Sequence, residues 1–485
     1  MQREKVFSNL IWRFLERCGA QGVTLVVSIV LARLLDPQIY GLVSLVAVFT
    51  AVLAVFIDSG LGNALIQKKD ADDLDFSSVF YFNMGLCFLL YTIMFIIAPH
   101  IASFYNNSQL TLIVRVMSIT LIVSGVKNIQ QAYVSRHLLF KKFFFATLIG
   151  TIGAAVVGIW MAYNGYGVWA LVAQNLVNQI LDTVVLWITV KWRPKLMFSF
   201  SRFKALFSFA WKLLVTSLIT TIYEKIRQLI IGKMYSPADL AFYNEAQQIP
   251  YAIISNINNS IDSVLLPAIS NVQDDLHAVK AMTRRAIITS TYIISPMMIG
   301  VAAISRPMIS LLLTDKWLPC VFFVRVACFS FILTPMNTAN LNAIKAVGRS
   351  DIVLKLEIVK KIIGLIILFV TMWFGVKAIA VGLLIASIIS QLINAFPNRM
   401  LLDYTYCEQL KDVFPNIFIS IVMGITVYMV SFFNLNNGVT LCVQILLGII
   451  VYLALSITMK NKSFKYLKDI LSTFLYKLTR KAKTK

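Results

Sequence analysis

The chain contains Ile57-Asp58-Ser59-x-Leu61-x-x-Ala64 and, about two hundred residues later, Ile261-Asp262-Ser263-x-Leu265-x-x-Ala268. Each copy lies inside an apolar run and carries one carboxylate. A charged side chain within a membrane segment is costly and usually serves a function. The matched pair therefore indicates an internal duplication, and it predicts a transporter built of two lobes.

The similarity continues on both sides of the two aspartates. Arg33-Leu34-Leu35-Asp36-Pro37 corresponds to Lys233-Met234-Tyr235-Ser236-Pro237 at a constant offset of 200. Further along, Pro99-x-Ile101 corresponds to Pro307-x-Ile309. Because the matches keep one order along the chain, duplication is the preferred interpretation.

The composition is that of a polytopic membrane protein. Hydrophobic residues make up 59% of the chain, charged residues 14%, and the mean hydropathy is +0.78. A helix of about 20 apolar residues crosses the hydrocarbon core with its backbone hydrogen bonds satisfied internally. We therefore predict an all-α fold with about fourteen transmembrane helices. Their approximate spans are 10–35, 41–65, 78–98, 109–127, 143–163, 168–190, 209–233, 240–269, 285–305, 320–343, 356–375, 377–396, 413–433 and 439–459.

These spans group into two parallel lobes of six helices and two further helices. The predicted divisions are a lobe at 1–195, a lobe at 196–400, the additional pair at 401–459 and a basic tail at 460–485. In the tail, Phe464, Leu467, Leu471, Phe474 and Leu478 recur at helical spacing among lysines. This spacing predicts an amphipathic helix that binds the surface of anionic membrane lipids.

The basic residues predict the orientation. If the N terminus is cytoplasmic, about 35 of the 44 Lys and Arg residues fall at inner ends and loops, four of them from Lys127 to Lys142. This bias places both termini inside and requires an even number of helices. The net charge of +22 is thus a topology signal. Because the cations are scattered among membrane spans, nucleic-acid binding is a poor interpretation.

The outer loops are short, and the sequence carries neither a G-x-x-x-x-G-K-[ST] phosphate loop nor an H-E-x-x-H motif. We therefore expect no cofactor and no enzyme activity, and transport driven by a gradient of an ion or of the substrate.

Ionisable residues within the predicted spans are the candidate functional residues. A bundle of helices 1, 2, 7 and 8 would enclose a wet, largely cationic cavity with embedded carboxylates. The cations are Arg17, Arg115, Lys225, Arg227 and Arg325, and the carboxylates are Glu16, Asp58, Glu224 and Asp262.

Each group also has a structural interpretation. Arg17 could extend to inner phosphates and only fix helix 1, and Lys233 could anchor an outer end in the same way. Glu224 could form an ion pair with Lys225 or Arg227. Asp58 and Asp262 could terminate helices, because Gly60, Gly62 and Pro267 lie nearby.

Several motifs resemble the polysaccharide transporter family of Wzx-type flippases. They are Ala32-Arg33-Leu34-Leu35-Asp36-Pro37-x-x-Tyr40-Gly41, Asp58-x-Gly60-Leu61-x-x-Ala64-Leu65-Ile66-Gln67, Tyr243-Asn244-x-Ala246, Lys316-Trp317 and Ala346-x-Gly348-Arg349. This family belongs to the superfamily of multidrug and toxic-compound extrusion carriers and lipid II flippases. Ala241 departs from its pattern, which often has Gly before the Tyr-Asn pair.

The resemblance implies alternating access, by which an undecaprenyl-pyrophosphate-linked oligosaccharide crosses the bacterial inner membrane towards the periplasm. The product would be O-antigen, capsule or exopolysaccharide, made with a polymerase and glycosyltransferases of the same pathway. We expect Arg17, Arg115, Lys225, Arg227 and Arg325 to attract the anionic head group. We expect Glu16, Asp58, Glu224 and Asp262 to bind H⁺ or Na⁺ or to gate, with the repeated aspartates forming a symmetric cytoplasmic gate.

Two other functions remain open from sequence. A cation-coupled extruder of drugs or metabolites would share the lobes, although an acidic, aromatic-lined cavity would suit its cationic substrates better. An integral-membrane glycan polymerase or acyltransferase would be an enzyme, but the sequence has no long outer loop and no intramembrane His/Asp pair.

Overall fold

The structure is a computed structural model that describes residues 19, 21–58, 60–433, 435–461, 463–469 and 472. Within these ranges the regular structure is helical and contains no strand, which confirms the all-α prediction. The chain divides into two compact units, Met1–Ala241 and Phe242–Lys485. Glu16, Arg17 and most of the predicted tail helix lie outside the described residues, and residues 463–469 of that tail are helical.

Among the described residues, nine helices fall within unit 1, the part of the chain up to Ala241. They are α1 (Gln21–Leu34), α2 (Pro37–Asp58), α3 (Leu61–Gln67), α4 (Asp73–Phe104), α5 (Gln109–Met117), α6 (Ile119–Arg136), α7 (Phe140–Tyr163), α8 (Val168–Thr189) and α9 (Phe200–Met234). Helix α9 bends by 51° between Ser208 and Ala210.

The helices of unit 2, the part from Phe242 onward, begin with one that starts at the end of unit 1. They are α10 (Pro237–Ser270), α11 (Leu276–Leu313), α12 (Cys320–Ile332), α13 (Thr334–Ala346), α14 (Ser350–Thr371), α15 (Val376–Leu402), α16 (Tyr406–Met429) and α17 (Asn437–Thr458). Short 3₁₀ helices at Asp315–Trp317 and Val430–Phe433 precede α12 and follow α16.

Ten spans among the described residues are long and apolar enough to cross a membrane, or eleven with the bent α9. This finding makes the chain a multi-pass membrane protein, while the count of fourteen stays a prediction. The predicted helices at 240–269 and 356–375 do form, as α10 and α14, but they are not among the ten. Helix α14 carries four charged side chains between residues 355 and 361, which lower its hydropathy.

Three of the spans that are long enough to cross the membrane each consist of two helices with a break between them. The span Pro37–Gln67 breaks after Asp58, where Gly60 has a φ of +74°, a left-handed conformation that glycine adopts without strain. The spans Gln109–Arg136 and Cys320–Ala346 each consist of two helices, α5–α6 and α12–α13. These are the fourth and tenth predicted helices, so the two broken spans occupy equivalent places in the repeat.

The apolar residues of the repeated motif lie in equivalent cores. Leu61 and Leu65 are buried in a cluster with Val79 and Phe80 of α4 and with helices α6 to α9. In unit 2, Leu265 and Ile269 are buried in a cluster that includes Ile287 of α11 and residues of α13 and α16. The match therefore reflects shared burial at these two pairs of positions, Leu61 with Leu265 and Leu65 with Ile269.

Helix α2 packs closely against α9 and against Pro237, the first residue of α10, within unit 1. A Cβ atom added to Gly41 would lie 1.8 Å from the carbonyl oxygen of Pro237, and one added to Gly232 would lie 2.3 Å from a Leu45 side-chain carbon. The Tyr105 hydroxyl donates a hydrogen bond of 3.5 Å to the Leu229 carbonyl. Helix α9 therefore belongs to unit 1 by its contacts, although its sequence begins the second repeat.

The segment that leads into α9 is tied to the start of α4. The Lys195 ammonium and the Asp73 carboxylate form an ion pair of 2.6 Å, and Arg202 pairs with Asp72 at 2.6 Å. The Asp75 backbone N–H and the Arg202 guanidinium hold the pKa of Asp72 at about 2. Asp72 therefore stays ionised, and the tie stays charged, at physiological pH.

We expect Gly41→Ala to lower the thermal stability of the purified protein. The new methyl group would overlap the Pro237 carbonyl, and overpacking of this kind costs about 1–3 kcal/mol. Gly85→Ala is the matched control, because Gly85 lies within α4 and an added Cβ meets no atom within 4 Å. Thermal unfolding in detergent measures both variants, and an unchanged Tm for Gly41→Ala would contradict the close approach.

Candidate functional site

The two repeated aspartates make the same contact, each within its own unit. Asn128 Nδ2 on α6 donates a hydrogen bond of 2.7 Å to Asp58 Oδ1. Asn342 Nδ2 on α13 donates one of 2.8 Å to Asp262 Oδ1. Both carboxylates belong to exposed residues, whereas Asn342 is buried. The duplication therefore includes a carboxamide partner on the second half of each broken span, which the sequence alone did not reveal.

The backbone differs between the two aspartates. Helix α2 ends at Asp58, and the carbonyl oxygen of Ile57 accepts hydrogen bonds from Asn83 Nδ2 at 3.2 Å and Asn128 Nδ2 at 3.1 Å. Helix α10, in contrast, continues past Asp262 to Ser270. The helix-termination interpretation is therefore wrong for Asp262, and it stays a prediction for Asp58, at which α2 ends.

An ion pair joins α6 and α8 next to the Asp58 contact. Lys127 Nζ lies 2.6 Å from Asp182 Oδ2, with only 15% and 11% of the two side chains exposed, and it donates to Gln179 Oε1 at 3.3 Å. From the sequence, Lys127 is the last residue of the predicted span 109–127, at the inner end of that helix. The predicted end is wrong, because α6 continues to Arg136 and Lys127 lies inside the helix.

Three predicted site residues lie on α9. Arg227 is buried, with its guanidinium carbon 5.2 Å from the centroid of the Tyr223 ring, while Lys225 is half-buried and Glu224 is exposed. Within the described ranges, no ion pair joins Glu224 to Lys225 or Arg227. The structural ion pair considered from the sequence is therefore wrong, and Arg227 is a buried cation that has no carboxylate partner among these residues.

Arg115 and Arg325 are repeat-related residues with related contacts. Arg115 Nε donates to the carbonyl oxygen of Phe95 at 3.3 Å, and Arg325 Nε donates to Ser305 Oγ at 3.1 Å. In both cases the acceptor residue is 20 positions earlier, on the preceding long helix. Each guanidinium also lies over an aromatic ring, at 4.1 Å from Phe95 and at 5.4 Å from Tyr428. These contacts fix each arginine within its unit.

The outer-end cation Lys233 has a structural contact. Its ammonium donates to the carbonyl oxygen of Phe104 and lies 4.1 Å from the centroid of the Phe104 ring. This contact agrees with the anchoring interpretation. Among the residues that the structure describes, no two of the predicted site residues bond to each other, so their assignment as one site stays a prediction.

The fold itself is similar to that of two solved multi-helix membrane proteins. The structure aligns with the lipid II flippase MurJ in an inward closed conformation at a TM-score of 0.76, covering 94% of this chain and 99% of that chain at 16% identity. It aligns with an inward-facing multidrug resistance MATE family transporter of the MOP superfamily at a TM-score of 0.63, covering 79% and 94% at 16% identity.

The family described as polysaccharide biosynthesis protein matches residues 30–322, which is more than half of the chain. The chain therefore belongs to this family, and the resemblance seen in its motifs is confirmed.

Three curated relatives agree with this assignment. The chain is 24% identical over 425 residues to the teichuronic acid biosynthesis protein TuaB of Bacillus subtilis (strain 168), covering 84% of this chain and 86% of the relative. It is 22% identical over 400 residues to the lipopolysaccharide biosynthesis protein WzxC of Escherichia coli (strain K12), covering 81% and 80%. It is 23% identical over 350 residues to the succinoglycan biosynthesis transport protein ExoT of Rhizobium meliloti (strain 1021), covering 72% and 70%.

The ion pair between α6 and α8 predicts a non-additive effect on stability. We expect Lys127→Met or Asp182→Leu alone to destabilise the protein by about 3–5 kcal/mol, because each leaves one buried charge without its partner. The double variant should recover most of the loss. Arg349→Ala is the control, because its partner Asp351 and Arg349 itself are half exposed, and such pairs contribute about 0–1 kcal/mol. Thermal unfolding of the wild type and the four variants measures these losses. If the losses of the two single variants simply add in the double variant, the pairing is contradicted.

Proposed function

We propose that this chain is a flippase that moves undecaprenyl-pyrophosphate-linked oligosaccharide repeat units across the bacterial inner membrane for the synthesis of a surface polysaccharide. Both termini lie in the cytoplasm in this proposal, as the distribution of Lys and Arg favours. In this proposal the glycosyltransferases of the pathway act before the flippase, and the polymerase acts after it.

The names of similar proteins support the substrate class. Relatives with similar coverage are named for the biosynthesis of teichuronic acid, lipopolysaccharide and succinoglycan, and the last of them is named as a transport protein. A solved structure with the same fold over almost the whole chain is that of a lipid II flippase. A saccharide on a lipid carrier is a substrate that agrees with both the names of the relatives and the name of this flippase.

The observation that carries the proposal is the buried cation Arg227 on α9. No carboxylate of the described part of the chain pairs with Arg227, and burial of such a charge costs several kcal/mol unless an anion compensates it. A pyrophosphate supplies this anion, since its oxygens accept charge-assisted hydrogen bonds from guanidinium and ammonium groups. Lys225 lies two positions away and adds positive charge at the same level of the helix. Arg17, Arg115 and Arg325 complete the proposed set of head-group contacts.

The aspartates are proposed to couple transport to an ion. Each carboxylate accepts a hydrogen bond from an asparagine on another helix of its unit. Binding of H⁺ or Na⁺ would neutralise the carboxylate and weaken this contact, because a hydrogen bond to a charged acceptor is about twice as strong as one to a neutral acceptor. Asp58 and Asp262 would then gate, while Glu16 and Glu224 are further candidates for the ion.

Deletion and complementation test the transport function. A strain that lacks this gene should accumulate lipid-linked repeat units in the cytoplasmic leaflet and should export no polysaccharide, because a charged head group does not cross hydrocarbon unaided. The wild-type gene should restore export, whereas Lys225→Ala/Arg227→Ala should fail at equal protein level. Periodate or lectin labelling of intact cells and of inverted vesicles assigns the leaflet.

Lys212→Ala is the matched control in this experiment, because Lys212 is an exposed lysine on the same helix α9. It should export normally. Units that accumulate in the periplasmic leaflet would instead indicate a polymerase, and normal export by the double variant would remove Lys225 and Arg227 from the substrate site.

The aspartate pair has its own test. In proteoliposomes that carry a fluorescent lipid-linked saccharide, an imposed pH or Na⁺ gradient should accelerate transport by the wild-type protein. Asp58→Asn/Asp262→Asn should respond at least tenfold less, because the amides cannot ionise. Asp274→Asn, in the exposed turn between α10 and α11, should respond like the wild type. A double variant as ion-dependent as the wild type would refute the coupling role.

A further inference from the structure

Unit 2 contains a polar cavity that none of the predicted site residues lines. It lies at one end of the unit, between the end of α11, the 3₁₀ helix Val430–Phe433 that follows α16 and the start of α17, and its volume is about 570 Å³. Ligand pockets in proteins commonly measure about 300–1,000 Å³. Residues 314–319 and 435–436, which adjoin these elements, fall in loops predicted to be outside.

The cavity carries hydrogen-bond acceptors held in place by a chain of contacts. Asn437 Nδ2 donates to Ser310 Oγ at 3.0 Å, and the Ser310 hydroxyl in turn donates to Asp315 Oδ1. All three residues line the cavity. Within the described ranges, Asp315 Oδ2 and Asn437 Oδ1 have no hydrogen-bond donor, so they remain to accept hydrogen bonds from a ligand.

The cavity also carries donors. The buried Gln444 side chain donates its Nε2 to Ser431 Oγ at 2.9 Å and to the Val427 carbonyl at 3.0 Å. Because the Ser431 oxygen is the acceptor of that bond, its own O–H is left to donate elsewhere. The exposed Arg306 adds a guanidinium, which has donors only.

Two aromatic rings complete the lining. Tyr428 and Phe432 meet edge to face, with ring centroids 5.9 Å apart and an interplanar angle of 87°. The Arg325 guanidinium lies 5.4 Å from the Tyr428 ring and helps to fix it. Phe432 has 72% of its surface exposed, which makes it available to a ligand.

We propose that this cavity binds the saccharide part of the transported lipid-linked oligosaccharide, an inference that rests on the proposed function. A sugar ring presents neighbouring hydroxyls that both donate and accept, and a C–H face that packs on an aromatic ring. Asp315 and Asn437 can accept hydrogen bonds from the sugar hydroxyls, and Ser431 and Arg306 can donate to them. The rings of Tyr428 and Phe432 can pack on the C–H face. A phosphate headgroup fits it less well, because Asp315 repels an anion. Four of these six groups, Tyr428, Ser431, Phe432 and Asn437, come from the segment beyond the two predicted lobes.

Binding of free saccharide to the full-length protein tests the proposal. The probe is the oligosaccharide released by mild acid from the lipid-linked units that the deletion strain accumulates. We expect the Kd from isothermal titration calorimetry to rise roughly tenfold for Phe432→Ala and for Asn437→Ala, since each removes one aromatic or hydrogen-bonding contact. Phe433→Ala is the matched control, because Phe433 is 73% exposed on the same 3₁₀ helix and does not line the cavity.

The outcomes separate the cavity from the transport function. A deletion strain without accumulated units would overturn both. Accumulated units with equal saccharide affinity for the wild type and both variants would overturn the saccharide site alone. A parallel titration with dihexanoyl phosphatidylglycerol covers the other ligand class, and variants that weaken lipid binding while saccharide binding is unchanged would make the cavity a phospholipid site. Two independent substitutions keep the test decisive if one variant does not fold.

Discussion

A helix in hydrocarbon must satisfy its backbone hydrogen bonds internally, so every break in such a helix needs replacement partners. The break after Asp58 meets this requirement through two asparagines. Asn83 and Asn128 donate to the carbonyl of Ile57, which the interrupted helix leaves without its usual donor. Asn128 also donates to the Asp58 carboxylate. The Asn128 side chain therefore donates both to the free backbone carbonyl at the break and to the carboxylate of Asp58. The end of α2 and the charge of Asp58 thus depend on the same side chain.

The two units share equivalent helix interfaces but differ in the polar side chains at those interfaces. In unit 1 the interface between α6 and α8 contains the Lys127–Asp182 ion pair. In unit 2 the corresponding interface between α13 and α15 contains uncharged carboxamides, with Asn394 donating to Asn337 at 2.9 Å and Asn398 donating to Asn340 at 2.7 Å. Carboxamides, unlike the two side chains of the ion pair, carry no charge. The two interfaces therefore occupy equivalent places and differ in charge.

Much of the fold follows from hydropathy and from the duplication, since apolar periods and matched motifs are local in sequence. The sequence also predicted that Asp58 and Asp262 are equivalent, and the structure adds Arg115 and Arg325, whose equivalence was not recognised. It missed the Lys127–Asp182 pair because polar residues after position 126 lower the local hydropathy and ended the predicted helix too early. It could not identify Asn128 and Asn342 as partners, because a hydrogen bond between distant helices leaves no local pattern. The cavity at Asp315 and Asn437 joins residues more than 100 positions apart for the same reason.

The place of α9 has a consequence for biosynthesis. By sequence α9 opens the second repeat, but its contacts with Leu45 and Tyr105 lie in unit 1. A ribosome adds about 5–20 residues per second, so several seconds separate the end of the first repeat from the emergence of α9. Throughout that interval the Leu45 side of α2 lacks α9, the helix that packs against it in the structure. The packing of α2 within unit 1 is therefore complete only after the start of the second repeat has been synthesised.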